Sequence, residues 1–240
     1  EYGDLVREFG LTVGEVGLSI NLLVRDEDER ARRIDRVRET LRSADSMGAD
    51  TVFTLVGSYD DTSFLAPHPD NWGPSAREDV RENCRRILDG LELDETAYAL
   101  EPWHSSFFHE PEPVSEFLDS VDDLGVKLHM DAINMHSPET YYRSTEIVDR
   151  AFDLLAEKTV SVHAKDLRWD PEFMFLQIDE VKPGEGVVDW ETHIDRLDDL
   201  PDDVPVFVEH WETDEEHEAA IESLRDIAAR NDIELRTRTG

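Results

Sequence analysis

The sequence predicts an α/β fold, a (β/α) barrel of the TIM type. Three observations predict it. Short apolar runs alternate with amphipathic stretches, the pattern of parallel strands joined by crossover helices. The length of 240 residues is close to the roughly 250 of one such barrel. Four of the apolar runs carry an Asp, Glu or His at or near their C-terminal end, where such barrels place their chemistry. The whole chain, 1–240, is expected to form one barrel domain.

A helix opens the chain over 2–9, and the first strand follows at 14–20. The clearest helix lies within 26–48. Ala31, Ile34, Val37, Leu41, Ala44 and Met47 recur there at three and four residues and share one face. Asp26 caps its start and Gly48 ends it. Residues 51–57 are short, apolar and read as a buried strand. A loop of about twenty residues rich in Pro, Asp and Asn comes next, longer than structureless loops usually are. Ser75 and Glu78 suggest a capping box for a helix at 76–91. Further strands fall at 97–102, 126–131, 159–164 and 205–210. The helices between them start near Pro113, Ser137 and Trp190. Thr213 and Glu216 form a second capping box, for a last helix running to about Asn231. This makes six strands where a complete barrel has eight.

The charge balance narrows the function. Lys and Arg total 24 and Asp and Glu total 58, a net −34. That field repels nucleic acid, whose binding needs basic residues to replace phosphate counterions, and anionic membrane surfaces. The acids are dispersed and apolar periodicity persists between them. The reading is therefore an acidic coat on a folded domain, a halophilic protein that needs salt to screen its self-repulsion. The single Cys84 excludes an internal disulfide framework and a thiolate metal cluster. It fits a reducing cytoplasm. No apolar run approaches the ~20 residues of a membrane span, and 1–10 does not read as a signal peptide.

Glu101, Asp131, His163 and Glu209 are the residues at the strand ends. Their separations are 131 − 101 = 30, 163 − 131 = 32 and 209 − 163 = 46. The first two match one βα unit of about 31 residues, and the third matches one unit plus the insertion 167–188. Taken singly, a carboxylate at a strand end is more often a cap or a solvated residue. Four in register point to a shared divalent-cation site with three carboxylates and one imidazole. That donor set suits Mn²⁺ or Mg²⁺, with Co²⁺ or Zn²⁺ as alternatives.

The segments Leu100–Trp103, His129–Asn134, Val162–Asp166, Pro183–Gly186 and Val208–His210 resemble the sugar phosphate isomerase/epimerase family. That family belongs to the xylose-isomerase-like barrels. The resemblance spans about 11–212. It implies that Glu101, Asp131, His163 and Glu209 hold one divalent ion and that their strands are the fifth to eighth of the barrel. The strand at 14–20 is then the third, and the first two are missing from this N-terminally shortened chain. Such an open barrel exposes two edges, an aggregation liability. The resemblance further implies a small sugar substrate, catalysis by Glu101 and Glu209 through proton transfer and an ene-diolate, and, since members often pair, a homodimer. Asn134 stands where many members carry a His that binds substrate; it can hydrogen-bond a hydroxyl but cannot shuttle a proton. His129 and His136 are candidates to compensate. Trp103, His104, Phe107 and Phe108 are candidate walls of a sugar pocket, against ordinary loop packing. Lys165 is a candidate for holding a sugar oxygen, against a surface ion pair with Asp166. Arg168 is a weaker candidate for a phosphate. Pro183–Gly186 reads as a turn closing over the mouth. An inosose-type dehydratase on the same metal site is the nearest alternative, followed by a non-catalytic truncated barrel. A nuclease of the endonuclease IV type would need more histidines and a basic surface.

Overall fold

The alternation of strands and helices is realised in a computed structural model that describes residues 2–201 and 203–236. The helices are α1 (Tyr2–Glu8), α2 (Glu27–Met47), α3 (Pro74–Leu88), α4 (Pro111–Ser120), α5 (Ser144–Leu155), α6 (Trp190–Arg196) and α7 (Asp214–Arg230). The strands are β1 (Glu15–Leu18), β2 (Thr51–Leu55), β3 (Ala97–Glu101), β4 (Lys127–Met130), β5 (Thr159–Ala164), β6 (Asp166–Trp169), β7 (Ile178–Val181) and β8 (Val206–Val208). Six of them form one sheet in the order β1-β2-β3-β4-β5-β8, every neighbour parallel. Helices cross between successive strands, as parallel pairing demands.

Sequence chemistry sets the element ends. The Asp26 carboxylate accepts the Glu29 N–H at 2.7 Å and starts α2. Gly48 ends it in the left-handed region at φ 76°, where glycine carries no Cβ penalty. The buried face of α2 is Ile34, Val37, Leu41 and Ala44. Thr213 and Glu216 make the reciprocal capping box of α7. Phe117, Leu118, Leu128, Met130 and Phe152 fill the layer between sheet and helices.

Two local expectations are corrected. Ser75 does not cap α3: the helix already begins at Pro74, Gly73 is its N-cap, and no side chain caps it. Proline at the first helical position needs no N–H partner and presets φ. No helix starts at Ser137. Thr140 Oγ1 takes the Ser137 N–H at 2.8 Å, so 137–140 closes as a turn and α5 waits until Ser144. The six-strand reading is also extended: the insertion after β5 holds an antiparallel hairpin, β6 with β7.

The two edge strands of the sheet, β1 and β8, do not hydrogen-bond to each other. A ring packs on backbone there instead. The Phe207 ring lies against Gly14, where a Cβ would come within 2.5 Å of it.

Burial also sets a pH dependence. His193 on α6 is fully buried, packed on Trp190 and edge-on to Phe152, and neither ring nitrogen has a hydrogen-bond partner. Burial pushes its pKa down from 6.5 to about 4. The unfolded chain therefore takes up this proton below about pH 6.5, while the native chain resists until about pH 4. Stability falls through that window by about 1.4 kcal/mol per pH unit. His193→Phe is expected to lose this part of the slope. Urea midpoints of both proteins between pH 7 and 4.5 check it; parallel curves would contradict it.

Candidate functional site

Four successive strands of the sheet deliver one ligating side chain each to the same end. Glu101 closes β3, Asp131 follows β4, His163 lies on β5 and Glu209 follows β8. One donor atom from each lies within 4.8 Å of all the others. His163 Nδ1 stands 2.9 Å from Glu209 Oε2 and 3.6 Å from Glu101 Oε1. Asp131 is oriented by its own loop, since Oδ1 accepts the Ile133 and Asn134 N–H groups, both at 3.0 Å. The Asn134 Nδ2 donates to Glu101 Oε1 at 3.0 Å. Lys165, only 1% exposed, reaches in from beside His163. Its Nζ is 2.6 Å from Glu209 Oε1, 2.9 Å from Asp131 Oδ2 and 3.4 Å from Glu180 Oε1.

Buried charge requires compensation. Glu101, Asp131 and Glu209 bring three negative charges and Lys165 one positive, a formal −2 for these groups with His163 neutral, and Glu15 and Glu180 at the edge add to it. A divalent cation offsets this excess. Without one, protons take its place. Burial pushes Glu101 up to about 7, with Asp131 adding to the rise and the His163 hydrogen bond opposing it. Burial opposes charge on His163, but the close carboxylates of Glu101, Glu15 and Glu209 win and push the ring up to about 12. Burial would raise Glu209 as well, yet His163 and Lys165 hold it well below the carboxylate range. The buried His163 Nδ1 has no aligned hydrogen bond, as a ligand atom aimed at a cation would. Three hard oxygen donors and one imidazole are the donor chemistry of Mg²⁺ or Mn²⁺, and four ligands suit Zn²⁺ as well.

The other singled-out residues divide. Asn134 and Lys165 join the cluster. Trp103 is half-buried, donates Nε1–H to Leu65 O at 3.0 Å and packs at a tilt of 42° on the exposed His104, ring centroids 4.3 Å apart. Phe107 and Phe108 are buried against Phe117 and belong to the core. His129 lies beneath the cluster, fully buried, stacked on Phe53 and edge-on to His163. His136 is buried with Nδ1 on Ala132 O. Lys165 forms no surface pair with Asp166. That carboxylate instead accepts N–H bonds from Leu167, Gly184, Gly186 and Val188. It thereby ties the 183–188 turn to the base of the hairpin. A Cβ on Gly186 would come within 2.3 Å of Asp166 Oδ1 and Leu167 O. Arg168 is exposed on β6.

Two acids escaped the sequence reading. Glu180 on β7 pairs with both Lys165 and His210. Glu15 at the head of β1 meets His163 Nε2 at 3.0 Å and His129 Nδ1 at 3.4 Å. Glu15, His129 and His163 form a second group able to gather around a cation. The available signal was the position of Glu15 in a short strand between two glycines, Gly14 and Gly17, where an acid is out of place.

Among the described residues, no helix is long and apolar enough to cross a membrane. No curated protein sequence matches the chain. Solved structures do. A xylose isomerase-like TIM barrel protein from Mycobacterium smegmatis, in complex with magnesium, shares 18% identity at a TM-score of 0.67, over 93% of this chain and 76% of its own. The 3-keto-D-glucoside 4-epimerase YcjR from E. coli shares 17% at 0.65, over 95% of this chain and 82% of its own. The probable 3-DHS dehydratase AsbF from Bacillus anthracis shares 12% at 0.69, over 96% and 81%. At these identities the likeness is one of fold. The sequence model of the xylose isomerase-like TIM barrel family matches residues 1–227. With six parallel strands in barrel order and that match over most of its length, the chain belongs to the xylose isomerase-like TIM barrel family.

Proposed function

We propose that the chain is a divalent-metal-dependent sugar, or sugar phosphate, isomerase or epimerase. The observation that carries this reading is the convergence of Glu101, Asp131, His163 and Glu209 within 4.8 Å at the strand ends. These four would hold the ion. When bound, it supplies a fixed positive charge beside the substrate carbonyl.

The protein groups do the rest. Glu101 and Glu209 flank the substrate; one removes the proton next to the carbonyl and leaves an ene-diolate, and the other returns a proton. Return to the opposite face gives an epimer, and return at the neighbouring carbon gives an isomer. Lys165 sets a second positive charge beside the developing oxyanion. The second N–H of Asn134 Nδ2 is available to a hydroxyl. Trp103 and His104 offer ring faces to the apolar side of the sugar. His129 takes no part at the mouth and serves beneath it.

Pairing of two copies and a cytoplasmic setting belong to the same reading. Met174 and Phe175, 96% and 85% exposed at the hairpin tip, with Phe173 and Leu176 beside them, support the first; the lone, buried Cys84 supports the second.

The test is a panel of open-chain keto sugars and their phosphates with Mn²⁺-loaded protein in D₂O. Deuterium entering at the carbon next to the carbonyl, with a new stereoisomer or aldose, is the expected result. Deuterium entry with loss of water would assign the dehydratase reading, for which the AsbF fold likeness is the supporting observation. Bound metal with no exchange on any sugar would leave a non-catalytic barrel.

A further inference from the structure

We infer that Glu15 is the positioning residue of this site: its carboxylate fixes the tautomer and orientation of His163 from the side away from the cation. The inference rests on the metal reading above. His163 spans two partners. Nε2 is 3.0 Å from Glu15 Oε1, while Nδ1 faces Glu209 and Glu101. A ring that donates Nε2–H to a carboxylate presents the Nδ1 lone pair to a metal, and the partner raises its basicity.

The fold makes this contact at long range. Glu15 and His163 lie 148 positions apart in the chain, on strands separated by three others in the sheet. They meet across the barrel interior. The layer around them is built to hold the pair. Phe53 approaches the His163 ring edge-on at 5.5 Å and stacks on His129 at 4.1 Å. His129 meets His163 edge-on at 4.0 Å, and its Nδ1 is held by Ser161 Oγ at 2.5 Å. Gly14 and Gly17 make room: side chains there would run into Phe207 and Phe53. The rings that meet Glu15 are thus held in place by Phe53 and Ser161, which take no other part in the site. The competing use of the same atoms is a second cation among Glu15, His129 and His163. The taken His129 Nδ1 and the hydrogen-bond separation between Glu15 and His163 favour the single-ion arrangement.

The experiment is Mn²⁺ titration of the metal-free full chain, followed by electron paramagnetic resonance, for wild type, Glu15→Gln and Glu15→Ala. Histidine ¹⁵N spectra of the Mg²⁺-loaded proteins accompany it. One ion per chain is expected in all three, with affinity lowered about 10–100-fold in both variants, the range for loss of a second carboxylate partner. The His163 Nε2–H resonance should be slow to exchange in wild type and lost in the variants. A merely structural Glu15 would leave the affinity and that resonance unchanged in Glu15→Gln, which keeps the shape; this result overturns the inference alone. Two ions in wild type, falling to one in the variants, overturns it in favour of the second cation. Wild type binding no ion removes the metal reading and the inference together.

Discussion

Glu209→Ala protein is expected to retain no divalent ion, where the native chain retains one. The residue is one of the four that converge at the strand ends and also the centre of the charge network, 2.9 Å from His163 Nδ1 and 2.6 Å from Lys165 Nζ. Removing it takes one negative charge out of the site. Lys165 is left with Asp131 and Glu180 as its close partners. Electrostatics and coordination thus weaken together. Turnover on any substrate found should fall by about 10³-fold or more, since a Lewis-acidic ion contributes several kcal/mol and each 1.36 kcal/mol is tenfold. Metal analysis of both proteins after dialysis checks the first part and single-turnover assays the second. A variant that keeps one equivalent would show that the four-residue cluster is not where the ion sits. A native chain that takes up none, even when soaked, would remove the enzyme reading at its root.

The second large effect is on stability. With 58 acids against 24 basic residues, the acids outnumber the cations that could pair with them by more than two to one. Ion pairs such as Arg30 with Glu27 and Asp79, or Arg196 with Asp149, Asp153 and Asp199, recruit the few cations available. Exposed pairs of this kind contribute little each. The unpaired excess repels itself in the compact state. Raising ionic strength from 0.1 to 1 M shortens the screening length from about 10 Å to about 3 Å. The unfolding midpoint in Mg²⁺-saturated samples is expected to climb by about 10 °C between 0.1 and 2 M KCl, or roughly 3–5 kcal/mol for a chain of this size. Midpoints that stay level or fall would show that the coat is not a halophilic adaptation. Light scattering on the high-salt samples tests pairing, which predicts twice the 27.6 kDa chain mass.

How much of this was legible in the sequence depends on the range of each interaction. The helix over 27–47 was readable because its apolar face repeats within a few residues and both caps are local. The core strands were readable as short apolar runs. The convergence of Glu101, Asp131, His163 and Glu209 was readable because parallel strands repeat at one βα unit, so regular spacing stands in for spatial proximity. Ser75 misled because its capping pattern matched while Pro74 had already started the helix. Phe107 and Phe108 misled because an aromatic beside a ligand can pack inward or outward, and the adjacent Phe117 decides.

The sequence by itself determined the alternation of strands and helices, the parallel barrel order, the acidic surface and the four strand-end residues that converge at one end of the sheet. Each follows from local periodicity, composition or regular spacing. Only the tertiary structure decided that Lys165 is buried between Asp131 and Glu209, that His129 lies beneath the cluster, and that Glu15 reaches His163. Those contacts join strands that are not sequence neighbours, through an interior where side-chain direction and close approach are set by the packing of the whole sheet. No period in the chain encodes them.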